Sequence, residues 1–294
     1  MKYFVLIIAL MLGLVAHSQV RYEVKRVHDS INTTGSETGA IVVDDSVLLY
    51  TTMMDEDASR MYLMDFRPML TEVFQASIDT LGRLGRGEIC KWGMNVSGKN
   101  CGNVAWDEKN NTLYFTRNDA RANSVKQIYF STRSNGRWSK AKLVGGNINK
   151  KGYNSTHPAI GQLSTGETVM FFSSDRPGGQ GGMDIWSAVM IRPGIPGNPQ
   201  NLGLAVNTDS NEVTPFWSDE QVLYFSSNRE GGKGGYDVYR TEGKKDNWML
   251  PQALGDGINT KFDDVFFTQQ RCNCRCEVDS MWKNEVVEAC GFVS

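Results

Sequence analysis

Two glycine-rich stretches have the composition of ligand-binding loops. The first, SSDRPGGQGGMDIW at 173–186, combines four glycines with an acidic residue, namely Gly178, Gly179, Gly181, Gly182 and Asp184. Such clusters can bind phosphate through backbone N–H groups, or calcium in secreted repeat proteins. A phosphate loop ends in a helix and carries a lysine followed by a hydroxyl residue, whereas here MDIW continues as a strand. Calcium β-rolls repeat a much shorter unit. The stretch therefore fits neither kind of ligand loop.

The same stretch recurs 53 residues later as SSNREGGKGGYDVY at 226–239. The matching residues are Gly231, Gly232, Gly234, Gly235 and Asp237. A tight reversal between two strands explains this composition, because glycine tolerates positive φ and several residues of such a loop would need it. An aspartate at the end of the loop can accept backbone N–H bonds. The ten residues are predicted to be structural turn residues.

The flanking segments repeat as well. NPQNLGLAVNTDSNEV at 198–213 corresponds to LPQALGDGINTKFDDV at 250–265, and the strands VMFF and VLYF precede the two glycine loops. A period of 42 to 57 residues with several short strands per unit is typical of propeller blades. We predict an all-β chain that forms a single β-propeller of four-stranded blades, five in number, with six as the alternative. The predicted units span 37–102, 103–155, 156–212, 213–262, and a last one made of 263–294 with the strand at 20–30.

The N-terminus reads as a secretory signal over residues 1–19, with an apolar core followed by Ala16, His17 and Ser18. The propeller would then occupy 20–294 and end in a cysteine-rich closure at about 271–294. Joining the two termini in one blade would remove exposed strand edges. The expected location is the periplasm, with no transmembrane segment in the mature chain.

Six cysteines fit an oxidising compartment. Cys90 and Cys101 are close in the sequence and are predicted to form a disulfide. Cys290 is expected to pair with the CNCRC cluster, although six cysteines allow 15 pairings. A zinc site is the alternative for this last group, whose cysteines are spaced more closely than in structural zinc sites. Its members are Cys272, Cys274, Cys276 and Cys290.

No catalytic motif stands out. A formal net charge of −2 does not suit a nucleic-acid partner. His157 precedes a proline at the start of a strand and is interpreted as structural, and Trp138, Trp186 and Trp248 occupy repeat-equivalent core positions. The acidic clusters at 55–57 and 263–264 are interpreted as solvated turns. We therefore expect no catalytic residue, metal or cofactor.

LYFSSNREGGKGGYDVYR and LGLAVNTDSNEVTPF resemble the WD40-like repeat called PD40. This repeat occurs in TolB-type propellers and in Bacteroidetes proteins such as the PorE-like component of the type IX secretion system. The resemblance implies a non-enzymatic scaffold of the cell envelope that binds a protein partner. The alternatives are a carbohydrate-active or peptide-hydrolysing propeller enzyme, or a glycan-binding module. Carboxylates or a histidine converging at the mouth of the central channel would favour the enzyme, and a dry apolar or mixed patch on one face would favour the scaffold.

Overall fold

The structure, a computed structural model, describes residues 21–26, 31–32, 36–54, 70–120, 124–244, 247–269, 275–280 and 285–292. Of the strands at 21–26, 275–280 and 285–292 it describes the backbone alone. The predicted signal segment, the acidic residues at 55–57, and Cys272 and Cys274 lie outside the described residues. Within the described ranges, no helix is long and apolar enough to span a membrane.

The described elements are 23 strands, beginning with β1 (Arg21–Arg26). Blade 1 contains β2 (Ser36–Val43), β3 (Val47–Met54), β4 (Leu70–Ser77) and β5 (Glu88–Ile89). Blade 2 contains β6 (Lys99–Asp107), β7 (Thr112–Asp119), β8 (Gln127–Ser134), β9 (Arg137–Trp138) and β10 (Lys142–Leu143). Blade 3 contains β11 (Ser155–Gln162), β12 (Thr168–Ser174), β13 (Asp184–Arg192), β14 (Ile195–Pro196) and β15 (Gln200–Asn201). Blade 4 contains β16 (Glu212–Trp217), β17 (Val222–Ser227), β18 (Asp237–Lys244), β19 (Asn247–Trp248) and β20 (Gln252–Ala253). The closing sheet adds β21 (Asp264–Gln269), β22 (Arg275–Ser280) and β23 (Glu285–Phe292) to β1.

Each blade is an antiparallel meander whose strands follow one another in chain order. In blades 2 to 4 the outermost strand is interrupted, so that two short strands pair with the third strand. The first strands of successive sheets contact one another, and β21 contacts β2, so that they surround a central channel. The predicted all-β propeller with four-stranded blades is confirmed.

The closing sheet joins the two ends of the chain. Its order is β1–β23–β22–β21, with Arg21 opposite Phe292. The alternative prediction of six blades is wrong, because the described ranges contain five sheets. Four of these sheets are blades described almost entirely with their side chains, and the closing sheet has one such strand, β21.

A repeated aromatic and arginine arrangement fills the space between blades. Phe225 is fully buried on β17 and stacks on Tyr239 of β18, with ring centroids 5.9 Å apart. The Arg229 guanidinium lies over both rings and donates to the Val206 carbonyl. Burying one such phenylalanine contributes about 2 kcal/mol, which explains why the motif strands are aromatic. Equivalent groups occur around Arg117 and Arg176.

The glycine stretches form the hairpins between the second and third strands of blades 3 and 4. The Asp184 carboxylate accepts from the backbone N–H groups of Gln180 at 2.6 Å and Gly181 at 3.3 Å. The Asp237 carboxylate accepts from Lys233 at 2.6 Å and Gly234 at 3.1 Å. Both carboxylates therefore hold their own hairpin.

The hairpins need glycine at these positions for different structural reasons. Only Gly178 and Gly231 have positive φ, at 96° and 86°, so the expectation of several such residues per loop is wrong. Gly179 and Gly232 lie against the aspartate of their own hairpin, and the other four allow close approach to the connection that leads into the next sheet. A Cβ on Gly234 would overlap the Phe262 carbonyl, and Gly235 N donates to the same oxygen at 3.2 Å.

Buried asparagines bridge the third strand of four blades to the following connection. The side chain of Asn207 accepts from Ile185 N at 2.7 Å and donates back to Ile185 O at 3.0 Å. It thereby replaces a strand residue and satisfies both backbone groups. Asn95, Asn149 and Asn259 repeat this arrangement. The sequence repeat matches Asn207 with Asn259, but the repeat by itself does not reveal the role of these asparagines.

Cys90 and Cys101 are buried in the same cluster between blades 1 and 2, and both are free thiols. The predicted disulfide is therefore not formed in this structure. Cys101 lies on β6 with Arg117 beside its thiol, while Cys90 follows β5 at the outer edge of blade 1. Burial raises the pKa of Cys90 to about 11 and that of Cys101 to about 12.

Candidate functional site

A β-bulge interrupts the innermost strand of every sheet at the same place. At each bulge one residue adopts the left-handed conformation, with φ between 48° and 61°. The five equivalent residues are Gly39, Asn103, His157, Thr214 and Phe266. Left-handed backbone at a non-glycine residue is uncommon and concentrates at functional sites. The five residues form a ring around the channel, which we call the bulge ring.

Two members of the bulge ring meet across the channel. The rings of His157 and Phe266 are in edge contact, with centroids 5.4 Å apart. A Cβ on Gly39 would lie 3.5 Å from Phe266 Cδ1, so the glycine leaves room for the phenylalanine. Burial and the nearby Lys126 charge lower the pKa of His157 to about 3, which keeps its imidazole neutral. Its Nδ1 is enclosed and has no hydrogen-bond partner in the described part of the chain.

From the bulge ring the channel widens into an open cavity of about 700 Å³. The innermost strands of all five sheets line this cavity, together with the turns that follow β2, β6, β11 and β16. We call it the channel mouth. Amide and carboxylate side chains from different blades face one space here, although they are far apart in the sequence.

Carboxylates are the most frequent charged groups of the channel mouth. Six of them, from the turns of blades 1, 2 and 4, line it: Asp44, Asp45, Asp107, Glu108, Asp219 and Glu220. Lys109 is the single lysine or arginine among the described lining residues. No group of three or more histidine, cysteine, aspartate or glutamate side chains within the described ranges could hold a metal ion.

Asp107 differs from the other acids because it is only 2% exposed. Its carboxylate accepts from Asn110 N at 3.2 Å and Asn110 Nδ2 at 2.8 Å. Burial raises the pKa of Asp107, and these hydrogen bonds oppose the shift in part. A carboxyl group with a raised pKa in a cleft is a candidate proton donor.

The wall between blades 1 and 2 contains a half-buried tryptophan. The Arg133 guanidinium lies over Trp106 and Trp138, 5.1 Å and 5.4 Å from the ring centroids. Arg133 also pairs with Asp44 and donates to Asn111 Oδ1 at 2.9 Å. These contacts fix Trp106 and the turn of blade 1 against each other at the channel mouth.

The opposite wall, between blades 3 and 4, is an amide network. Trp217 Nε1 and Gln221 Nε2 donate to the Gln162 carbonyl at 3.3 Å and 2.8 Å. Lys109 reaches from blade 2 to Gly166 O at 2.8 Å. The network holds turns of three blades in fixed positions, which pre-organises the mouth for a ligand.

Most residues singled out in the sequence lie elsewhere. None of the ten glycine-hairpin residues lines the channel mouth, and neither do Cys90 and Cys101. Because successive strands are antiparallel, the hairpins after the second strands lie at the opposite face from the turns after the first strands. Asp263 and Asp264 are bonded within the hairpin region rather than solvated.

His157 lies in the channel rather than being only a structural residue at a strand start. The six carboxylates were missed because they share no motif. The signal that could have found them is positional: each lies at the end of the first strand of its repeat or in the turn that follows it.

No family model matches the chain, including any for PD40, and no curated protein matches it. Solved structures share its fold. A protein of unknown function from Dyadobacter fermentans is 9% identical over 87% of this chain and 75% of its own, with a TM-score of 0.55. A GH43 β-xylosidase/α-arabinofuranosidase from a compost microbial metagenome is 9% identical over 93% and 94%, with a TM-score of 0.56. An α-L-arabinofuranosidase from Podospora anserina is 8% identical over 94% and 98%, with a TM-score of 0.54.

These comparisons overturn the expected function. They contradict the prediction of a non-enzymatic scaffold, because two of these three similar propellers are named as glycoside hydrolases. They give no support to a protein partner. At 8–9% identity the likeness itself establishes the propeller fold, and the activity is a separate step.

Proposed function

We propose that this protein is a carbohydrate-active enzyme that binds a short glycan in the channel mouth and hydrolyses a glycosidic bond there. The observation that carries the proposal is the convergence of carboxylates, amides and a half-buried tryptophan on one open cavity at the axis of the propeller. Carboxylates and amides bond sugar hydroxyls, and tryptophan packs on the apolar face of a sugar ring. The similar propellers named as arabinofuranosidase and xylosidase make a glycan the first ligand class to test.

In this proposal the two roles of glycoside hydrolysis fall to carboxyl groups in different surroundings. Asp107, with its raised pKa, donates a proton to the oxygen of the leaving sugar. An exposed carboxylate of the mouth, on the turn of blade 1 or blade 4, takes a proton from the water that attacks the anomeric carbon, or attacks that carbon itself to form a glycosyl ester that water then hydrolyses. The glycosidic C–O bond breaks, and water supplies the new hydroxyl and the proton that restores Asp107.

The test separates binding from turnover. Purified protein is incubated with arabino-, xylo- and β-1,2-manno-oligosaccharides, classes named for propellers of this fold. Binding is measured by calorimetry and products by chromatography. The proposal expects at least one oligosaccharide to bind and to be cleaved. Absence of both across this panel and across the amino-sugar series described below would overturn it.

Variants locate the activity. Asp107→Asn is expected to lower kcat by about a hundredfold or more while binding persists, because it removes the proton donor. Asp209→Asn is the matched control, since Asp209 is exposed and outside the channel mouth. Equal losses in both variants would contradict the assignment. Binding without turnover in the wild type would instead assign a glycan-binding module.

Finer features of family and location belong to the same proposal. We take the closing sheet as a fifth blade and the repeated hairpins as those of a PD40-type propeller. We also propose secretion to the periplasm after cleavage of residues 1–19. Mass spectrometry of the mature N-terminus in a periplasmic fraction tests this, and an intact Met1 would contradict it.

A further inference from the structure

We propose that the glycan bound in the channel mouth carries ammonium groups, as in a deacetylated amino sugar. This inference rests on the proposed function and names its substrate class. It follows from the charge of the mouth, from the inner end of the cavity and from the aromatic wall.

The charge of the mouth is strongly one-sided. Six carboxylates and one lysine among the described lining residues give a formal charge of −5, or −4 when Asp107 carries the proton that the proposed function assigns to it, whereas the whole chain carries −2. The acidic excess is therefore concentrated at this cavity. A cleft lined by one sign of charge focuses its field and raises the local concentration of oppositely charged ligands. Anionic sugars such as uronic acids are disfavoured by the same field.

The protein neutralises only part of this charge. Lys109 donates to Gln162 Oε1 and Gly166 O, and Arg133 pairs with Asp44 from behind the wall. Asp45 and Glu220 are exposed, and neither has a hydrogen-bond or ion-pair partner within the described residues. These two carboxylates, from opposite blades of the mouth, remain available to a cationic ligand.

The inner end of the cavity adds an independent observation. His157 lines it, and the Nδ1 of His157 is enclosed and unpaired in the described part of the chain. Because the imidazole is neutral, one of its nitrogens is an acceptor without positive charge. The neutral ring therefore adds no positive charge to that of Lys126, whose charge acts on the same ring.

The tryptophan in the wall between blades 1 and 2 favours a sugar over a simple cation as the ligand. Trp106 is half-buried at the mouth and held by Arg133 on one side. Tryptophan next to carboxylates offers a surface for the apolar face of a pyranose ring together with acceptors for its substituents. An amino sugar presents both groups.

The experiment uses three β-1,4-linked tetrasaccharides that differ only at the second carbon of each ring. These are the tetramers of glucosamine, N-acetylglucosamine and glucose, which carry an ammonium, an acetamide and a hydroxyl group. Affinities are measured by calorimetry at low and high salt, with spermine as a cation that has no sugar ring. The glucosamine tetramer is expected to bind about tenfold more tightly than the other two at low salt, and this preference should fall in high salt.

Variants assign the preference to the mouth. The double variant Asp45→Asn/Glu220→Gln should weaken binding of the glucosamine tetramer about fivefold, because two unpaired charges are removed. The matched control Asp209→Asn/Glu230→Gln removes two exposed acids outside the mouth and should leave that affinity unchanged.

Each outcome decides one of the two proposals. If neutral oligosaccharides bind as tightly as the glucosamine tetramer, the ammonium preference is wrong and the carbohydrate-active proposal stands. If no saccharide binds, the proposed function fails. If spermine binds as tightly as the glucosamine tetramer, the mouth selects cations and not sugars, which overturns the inference.

Discussion

The two faces of this propeller differ in how the sequence encodes them. One face carries the hairpins Gly178–Asp184 and Gly231–Asp237, which repeat almost residue for residue and build turns. The other carries the channel mouth, where five equivalent bulge positions hold five different residue types. Blades 3 and 4 use the same turn, so its residues recur in both. A site on the common axis is assembled from one contribution per blade, so its residues differ.

The stability of the protein should therefore be most sensitive to added side-chain atoms at the hairpin face. Gly234→Ala is expected to destabilise the fold by about 3 kcal/mol, because its Cβ would overlap the Phe262 carbonyl and the backbone would have to move. The measurement is the free energy of unfolding by urea denaturation. Gly255→Ala is the matched control, since its Cβ would meet nothing within 4 Å. Equal effects in both variants would contradict the close-approach explanation.

The bulge ring and the hairpins should show opposite pH dependences, because burial lowers the pKa of His157 and raises those of Asp184 and Asp264. The pKa of His157 is about 3 in the fold and about 6.5 when unfolded, so the unfolded chain binds more protons between these values. The contribution of His157 to the free energy of unfolding should fall as the pH drops from 6.5 to 4. His157→Asn places at blade 3 the residue type found in blade 2 and should lose about 3 kcal/mol less over that range. Identical pH profiles would show that His157 is not buried as described.

The hairpin aspartate should affect stability and not ligand binding. Asp184→Ala leaves two backbone N–H groups without their acceptor and should lower the free energy of unfolding by about 1.5 kcal/mol. Affinity for any glycan that binds should stay the same, because Asp184 does not line the channel mouth. A lost affinity with unchanged stability would reverse the roles of the two faces.

Asp45 and Glu220 of the channel mouth should affect ligand binding and not stability. Asp45→Asn/Glu220→Gln should change the free energy of unfolding by less than about 0.5 kcal/mol, because both residues are exposed and unpaired within the described ranges. Thermal denaturation checks the stability, and calorimetry with the bound glycan checks the site. A strongly destabilised double variant would assign these carboxylates to the fold.

Repetition explains how much the sequence could predict. The strands, the hairpins and the propeller follow from the matched stretches, since a local turn leaves the same residues in each copy. The role of Asn207 and its equivalents was missed because a side chain that replaces a strand residue looks like any loop asparagine. The mouth could not be assembled from Asp45, Asp107 and Glu220, because their proximity depends on closing the ring. The resemblance to PD40 also implied a scaffold. That inference failed because a shared hairpin carries no information about the residues at the axis of the propeller.

The most direct test of the account is to map where a bound glycan lies. Seven tryptophan indole signals can be followed by nuclear magnetic resonance during titration with the tightest oligosaccharide, together with the backbone amides. We predict shifts at Trp106 and Trp217 and at the amides of the bulge ring. The hairpin amides from Gly178 to Asp184 should stay in place. Shifts confined to the hairpins, with the channel mouth unchanged, would contradict the central claim.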